Sequence, residues 1–262
     1  MYNKFIVIIT AENKERFIFD TINSCLKQKN SNNIEIYIVF SKLKNEIKLK
    51  LKFNKYKNIK FLKVYKKKIP TQDQIFKIQS ALKYIKRGWI LLLDGDDKFI
   101  EKKIEYLKNY KLKKEKIYLN NHKIINTRGE YIAKNKIYKK FGLYKKLFND
   151  WPERINTSSI IIDSKILKDF YKKYNPYKWK FLAIDVQLIL YFHYKYKFEF
   201  IDKVLTLKLE GINNLDYTFN QITKGSYWHR RLEQHLMTKQ NSKKKNYIDY
   251  FLTKIIIKFF FN

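Results

Sequence analysis

The chain has 262 residues, 45% of them hydrophobic and 17% aromatic, which excludes a globally disordered protein. Its single cysteine, Cys25, excludes an internal disulfide, and no apolar run approaches the ~20 residues of a membrane span. The net charge of +33 comes mostly from lysines spread along the chain among Ile, Asn, Tyr and Phe. That spread speaks for a phosphate or anionic membrane partner, and no nucleic acid is expected.

In chain order, Phe5 to Ile9 is a continuous apolar run and reads as a first buried strand. Thr10-Ala11-Glu12-Asn13 is a polar turn in which Thr10 or Asn13 is suited to cap a helix. Ile18, Ile22, Cys25 and Leu26 form the stripe of that helix and place Cys25 in the core. Residues 34–40, rich in β-branched and aromatic side chains, complete a βαβ unit with an expected right-handed crossover. Residues 42–57 carry a helical stripe through Leu43, Ile47 and Leu51, and residues 59–64 read as a third strand. Lys66-Lys67-Lys68 reads as a solvated turn. Pro70 then opens a helix in which Thr71-x-x-Gln74 matches a capping box, and Ile75, Ile78, Leu82 and Ile85 supply the stripe. The repeated alternation predicts an α/β fold with a mostly parallel sheet.

The sequence then concentrates its chemistry. Trp89-Ile90-Leu91-Leu92-Leu93 runs straight into Asp94-Gly95-Asp96-Asp97. An all-apolar strand buried on both faces delivers polar residues at its carboxyl end, where open α/β sheets bind ligands. Gly95 lets the backbone bend so that Asp94 and Asp96 face one point, a pairing suited to Mg²⁺ or Mn²⁺ shared with a phosphate. Asp97 is expected to cap the helix over residues 98–110 or to support the two ligands. Farther on, residues 116–121 read as a strand, 134–151 as a long basic and aromatic loop, and 158–163 as a strand followed by a helix over 165–174. Leu182, Val186, Ile189, Leu190 and His193 mark another helix with Asp185 near its start. Residues 198–202 and 205–209 suggest two late strands, and 224–239 a helix. His122 and His193 read as structural.

These motifs resemble the family 2 glycosyltransferases, inverting nucleotide-sugar transferases of the GT-A type. The resemblance covers roughly residues 5 to 235. It rests on Leu93-Asp94-Gly95-Asp96-Asp97 above all, with Thr10-Ala11-Glu12-Asn13 and the Ser158-Ser159-Ile160-Ile161-Ile162 stretch in support. It implies a Rossmann-like sheet flanked by helices, Asp94 and Asp96 on Mn²⁺ or Mg²⁺, and donor contacts from Thr10, Glu12 and Asn13. It also implies a catalytic base at Asp185, in the position of the aspartate of the family's Glu-Asp pair. Two departures are visible: Val39-Phe40-Ser41-Lys42 lacks the family's acid after the second strand, and Ile184 replaces the Glu of the pair.

The expected function is transfer of a sugar from a nucleotide-sugar donor, most naturally a UDP-sugar, to a glycan or lipid-linked glycan acceptor in surface polysaccharide or lipooligosaccharide synthesis. The activity is expected to be of the hexosyltransferase type. Arg230 and Arg231 are further expected to close on the donor diphosphate, which guanidinium forks match. Residues 1–240 form the expected catalytic domain. Residues 241–262 form a basic amphipathic tail suited to a membrane surface or an oligomer contact. The N-terminus enters a strand directly, so a cytoplasmic protein, peripheral on the membrane, is expected. The same aspartates would also serve a metal-dependent nucleotidyltransferase or nuclease, and the missing acid at Ser41 admits a non-enzymatic membrane-surface protein.

Overall fold

A computed structural model describes residues 4–12, 17–29, 34–114, 116–135, 154–193, 195–210, 223–242 and 248–261. Its first half is the expected alternation: β1 (Phe5–Ala11), α1 (Ile18–Leu26), β2 (Ile34–Phe40), α2 (Glu46–Phe53), β3 (Ile59–Lys63), α3 (Pro70–Leu82) and β4 (Trp89–Asp94). There follow β5 (Lys98–Phe99), α4 (Lys103–Asn109), β6 (Lys116–Ile125), β7 (Tyr131–Asn135), β8 (Ile160–Asp163), α5 (Ser164–Lys173), α6 (Ile184–Phe192), β9 (Lys197–Leu209), α7 (Gly225–Asn241) and α8 (Ile248–Phe260).

All the strands join one sheet in the order β3-β2-β1-β4-β8-β6-β9-β5, with β7 beside β6. The β3-β2-β1-β4 block is parallel. β8 enters antiparallel between β4 and β6, while β6 and β9 run parallel. Each central strand is apolar on both faces because both are covered. Ile6 and Ile8 of β1 lie in one core with α3, α5 and α6, and Phe5, Val7 and Ile9 in another with α1, α2 and α4. Each such fully buried aliphatic side chain contributes roughly 1.5–3 kcal/mol.

Several expectations are corrected. In α2 the buried residues are Leu49 and Phe53, whereas Ile47 and Leu51 face solvent, so the apolar stripe is about half a turn out of phase with its expected position. The capping box of α3 is not formed: Ile69 stands at the N-cap, Pro70 opens the helix, and Thr71 and Gln74 turn to other partners. Lys98 and Phe99 are a short strand against β9, and the helix begins only at Lys103. The two late strands are one, β9, whose register against β6 shifts beside Asp202 and Lys203. Residues 136–151 of the expected long loop lie outside the described residues. No helix among the described residues is long and apolar enough to cross a membrane.

Candidate active site

The site forms where β1 and β4 end side by side. Thr10 is opposite Asp94 in the parallel register, and its Oγ1 donates to Asp94 Oδ1 at 3.3 Å. The same oxygen accepts from Gln74 Nε2 of α3 at 2.8 Å. After Asp94 the chain turns, with Asp97 N donating to Asp94 O at 3.0 Å. The turn lies so close to β1 that a Cβ at Gly95 would stand 3.1 Å from Ala11 Cα and from Thr10 O. Glycine is therefore needed here for the close approach. Thr21 of α1 donates to Gly95 O at 3.1 Å and fixes the turn from the other side.

The three carboxylates have different environments. Asp94 is half-buried and Asp96 buried. Asp97 points inward and accepts three hydrogen bonds: from Ser158 Oγ at 2.6 Å, Asn156 Nδ2 at 3.0 Å and Leu209 N at 2.9 Å. Burial, and then the neighbouring Asp96 charge, push Asp97 up to about 6 against those bonds. Its role is support: it ties the acidic turn to the loop before β8 and to the end of β9. Ser158 also accepts from Asp94 N at 3.0 Å, so one hydroxyl links two of the aspartates. Beneath them the buried Lys103 Nζ donates to Ser158 O at 3.2 Å and Thr206 Oγ1 at 3.0 Å, and burial pushes this ammonium down to about 7.

Glu12 follows β1 directly. Its Oε2 accepts from Ser41 Oγ at 2.8 Å and from the buried Lys77 at 2.7 Å, and its Oε1 pairs with Lys66. Lys77 also pairs with Asp73 at 2.5 Å. Burial alone would raise Glu12, but hydrogen bonds with Asp73, Lys66, Lys77 and Ser41 outweigh it and hold the carboxyl at about 2. The carboxylate expected to touch the donor is thus the hub of a cluster that joins the ends of β1 and β2 to α3. Lys66 belongs to that cluster rather than to a wholly solvated turn.

Asp185 lies in the first turn of α6, where its Oδ1 accepts from Val186 N at 2.7 Å. The preceding segment is held from two sides. Thr71 of α3 donates to Lys180 O at 2.7 Å, while Glu233 of α7 accepts from Lys180 N at 3.0 Å and Phe181 N at 2.8 Å. Thr71 and Gln74 are three apart on one helix face. The first turn of α3 therefore holds Asp94 with one residue and the approach to Asp185 with another.

Of the donor-binding residues read from the sequence, Thr10, Glu12, Asp94 and Asp96 gather at the strand ends. Arg231 does not: its guanidinium is taken up by Asp249 of α8, with Nε at 2.9 Å and Nη2 at 2.5 Å. Arg230 lies beside it on α7, half-buried. Asn13 lies outside the described residues. Among the described residues no three His, Cys, Asp or Glu side chains form a metal cage. Sequence reading missed Gln74, Asn156 and Glu233. Only Asn156 carries a local signal, as an Asn before Thr-Ser that receives the Ser158 amide at 3.2 Å.

This architecture has solved counterparts. S. aureus TarS 1–349 in complex with UDP-GlcNAc superposes over 99% of this chain and 72% of its own, at a TM-score of 0.64 and 16% identity. The same fragment in complex with UDP covers 99% and 71%, at 0.62 and 18%. A longer S. aureus TarS structure matches 97% of this chain but only 42% of its own length, at 0.61 and 16%. The sequence matches no protein-family model and no curated protein. The chain has a glycosyltransferase-like Rossmann fold.

Proposed function

We propose that the protein is an inverting glycosyltransferase of the family 2 kind, using a UDP-sugar donor and building a surface glycan. The observation that carries this reading is the clamped acidic turn, Asp94-Gly95-Asp96, opening at the carboxyl ends of parallel strands β1 and β4. The fold's solved counterparts, which hold UDP or UDP-GlcNAc, support the donor class.

Asp94 and Asp96 would hold Mn²⁺ or Mg²⁺. Two hard carboxylate donors suit a cation that completes its shell with phosphate oxygens. When bound, the cation offsets the charge that grows on the departing diphosphate. Thr10 and Gln74 orient the Asp94 carboxylate. Asp185 takes the proton from the acceptor hydroxyl, whose oxygen attacks the anomeric carbon opposite the leaving diphosphate, so the configuration inverts. The acceptor is a glycan, free or lipid-linked, and the protein works peripherally at the membrane that carries it.

Thermal shift with UDP, with and without Mn²⁺, tests the donor site. Stabilisation by UDP plus Mn²⁺ that disappears in Asp96→Ala is the expected result, and equal stabilisation in that variant refutes it. With a donor identified by product mass, Asp185→Asn should keep UDP binding and lose transfer by ~100-fold or more. Transfer at the parent rate would move the base elsewhere. Metal-dependent cleavage of nucleic acid without response to UDP would favour a nuclease.

A further inference from the structure

Helix α8 turns its polar side inward and its apolar side out. Asp249, Thr253 and Ile257, at i, i+4 and i+8, are its buried residues and form the stripe that meets α7. Asp249 accepts the Arg231 fork and lies 3.3 Å from His235 Nε2. Phe261, just past the helix, closes against Gly225, where a Cβ would stand 3.2 Å from its ring. At 100° per residue, Ile248, Phe251, Leu252, Ile255 and Phe259 fall on one outward arc, and they are between 48% and 71% exposed. A helix docked on a domain by a hydrogen-bonded acid while presenting five large apolar residues outward reverses the usual amphipathic arrangement.

We propose that this arc seats α8 in the surface of an anionic lipid bilayer. Charge selects that occupant: Lys254 and Lys258 lie exposed beside the arc, on a chain of net charge +33. Lysine stems can lie along the apolar boundary while their ammonium groups reach lipid phosphates. A second copy fits less well. With side chains of about 200 Å² each, the arc presents roughly 500 Å², below the ~800 Å² per partner of a stable interface. A two-fold pairing through so narrow a face would also bring like-charged lysines together.

The docking has a consequence for orientation. Arg231 holds α8, and Glu233, two residues on, holds the backbone of Lys180 and Phe181 ahead of Asp185. Residues two apart on a helix point to opposite sides, so α7 stands between α8 and the segment ahead of Asp185.

Flotation of the full chain with phosphatidylcholine vesicles, with and without phosphatidylglycerol, tests the proposal. The chain should float with the anionic vesicles at about 0.15 M salt. Phe251→Ser with Phe259→Ser leaves every charge in place and should weaken flotation at least about tenfold. Lys254→Glu with Lys258→Glu should weaken it as well. Both residue pairs are exposed, so each variant should unfold at the parent temperature and keep its thermal shift with UDP plus Mn²⁺. A parent that does not float overturns the proposal, as does undiminished flotation of the Phe251/Phe259 variant. A concentration-dependent dimer abolished by those two replacements overturns it also, since the face would then belong to a second copy. Loss of the UDP response in the parent would count against the enzymatic reading alone.

Discussion

Removing the Asp97 carboxylate should unfold the protein more readily without that group ever touching a donor. In Asp97→Ala the buried Asn156 Nδ2, Leu209 N and Ser158 Oγ, at 2.6 to 3.0 Å, lose a charged acceptor. Each orphaned buried donor costs about 1–3 kcal/mol. Ser158 can turn its hydroxyl elsewhere, and relief of the carboxylate's own desolvation returns part of the loss. The net expectation is a loss of about 3–5 kcal/mol, or roughly 10 °C in Tm for a chain of this size. Asp97→Asn keeps an oxygen for Leu209 N and a group that can meet Ser158, so only Asn156 faces a donor. Its cost should be about 1–3 kcal/mol. Asp94→Ala is the contrast, a half-buried carboxylate that accepts from Thr10 and Gln74. It should stay within about 1 kcal/mol of the parent while losing Mn²⁺-dependent UDP binding. Urea unfolding followed by circular dichroism gives the stabilities, and thermal shift gives the binding. If Asp97→Ala is as stable as the parent yet fails to bind UDP with Mn²⁺, Asp97 is a ligand and the assignment of roles within the turn is wrong.

Lys77→Met should lose about 3–5 kcal/mol, because it leaves Glu12 and Asp73 without their shared buried cation; urea unfolding no different from the parent would show that the cluster is not holding α3. Glu233→Ala should lower kcat more than it weakens UDP binding, since it frees the backbone of Lys180 and Phe181 ahead of Asp185; a fall in UDP affinity with kcat intact would place Glu233 on the donor side. The Asp249 cluster should give the attachment of α8 a pH dependence. Burial would raise that carboxyl, but His235 and Arg231 outweigh it and hold it at about 2, below its ordinary value. A depressed carboxyl contributes stability that is present above about pH 4 and lost as the pH falls towards 2. The contribution is about 2 kcal/mol, and Asp249→Asn should abolish it. Limited proteolysis of the tail across that range reads the effect, and cleavage independent of pH in the parent would refute it.

The first half of this fold is legible in the sequence because its strands are buried on both faces. Phe5 to Ile9 and Trp89 to Leu93 are apolar without alternation, and helical sequences sit between them. The second half resists the same reading for identifiable reasons. Around Asp202 and Lys203 the register of β9 against β6 shifts, which breaks one long strand into two apparent ones. In α2, lysines alternate with Ile47, Leu49, Leu51 and Phe53, so two phases of the stripe look equally good. Only burial in the core shared with α1, β1 and β2 decides for Leu49 and Phe53. At α3 the capping-box spacing was present but its geometry was not. Pro70 already starts the helix, and that frees Thr71 for Lys180 O and Gln74 for Asp94.

The same distinction separates the legible part of the site from the rest. Asp94, Gly95, Asp96 and Asp97 declare themselves because strand, turn and acids are contiguous, and the local backbone largely dictates what they do. Glu12 shows the limit. Its position after β1 is readable, but its partners Ser41, Lys66 and Lys77 come from three other parts of the chain. Only their convergence makes it the counter-ion of the buried Lys77. Arg231 shows the limit in the other direction. A guanidinium two residues from Glu233 looked suited to a diphosphate, yet Asp249 takes it in a bidentate pair, which satisfies its fork as a phosphate would. The chemistry read from the arginine was sound and its partner was not. A carboxylate eighteen residues away offers the same geometry as a ligand oxygen pair, and a sequence does not rank the two. In the structure α7 acts as a strut, with Glu233 bracing the approach to Asp185 on one side and Arg231 carrying the apolar-faced α8 on the other.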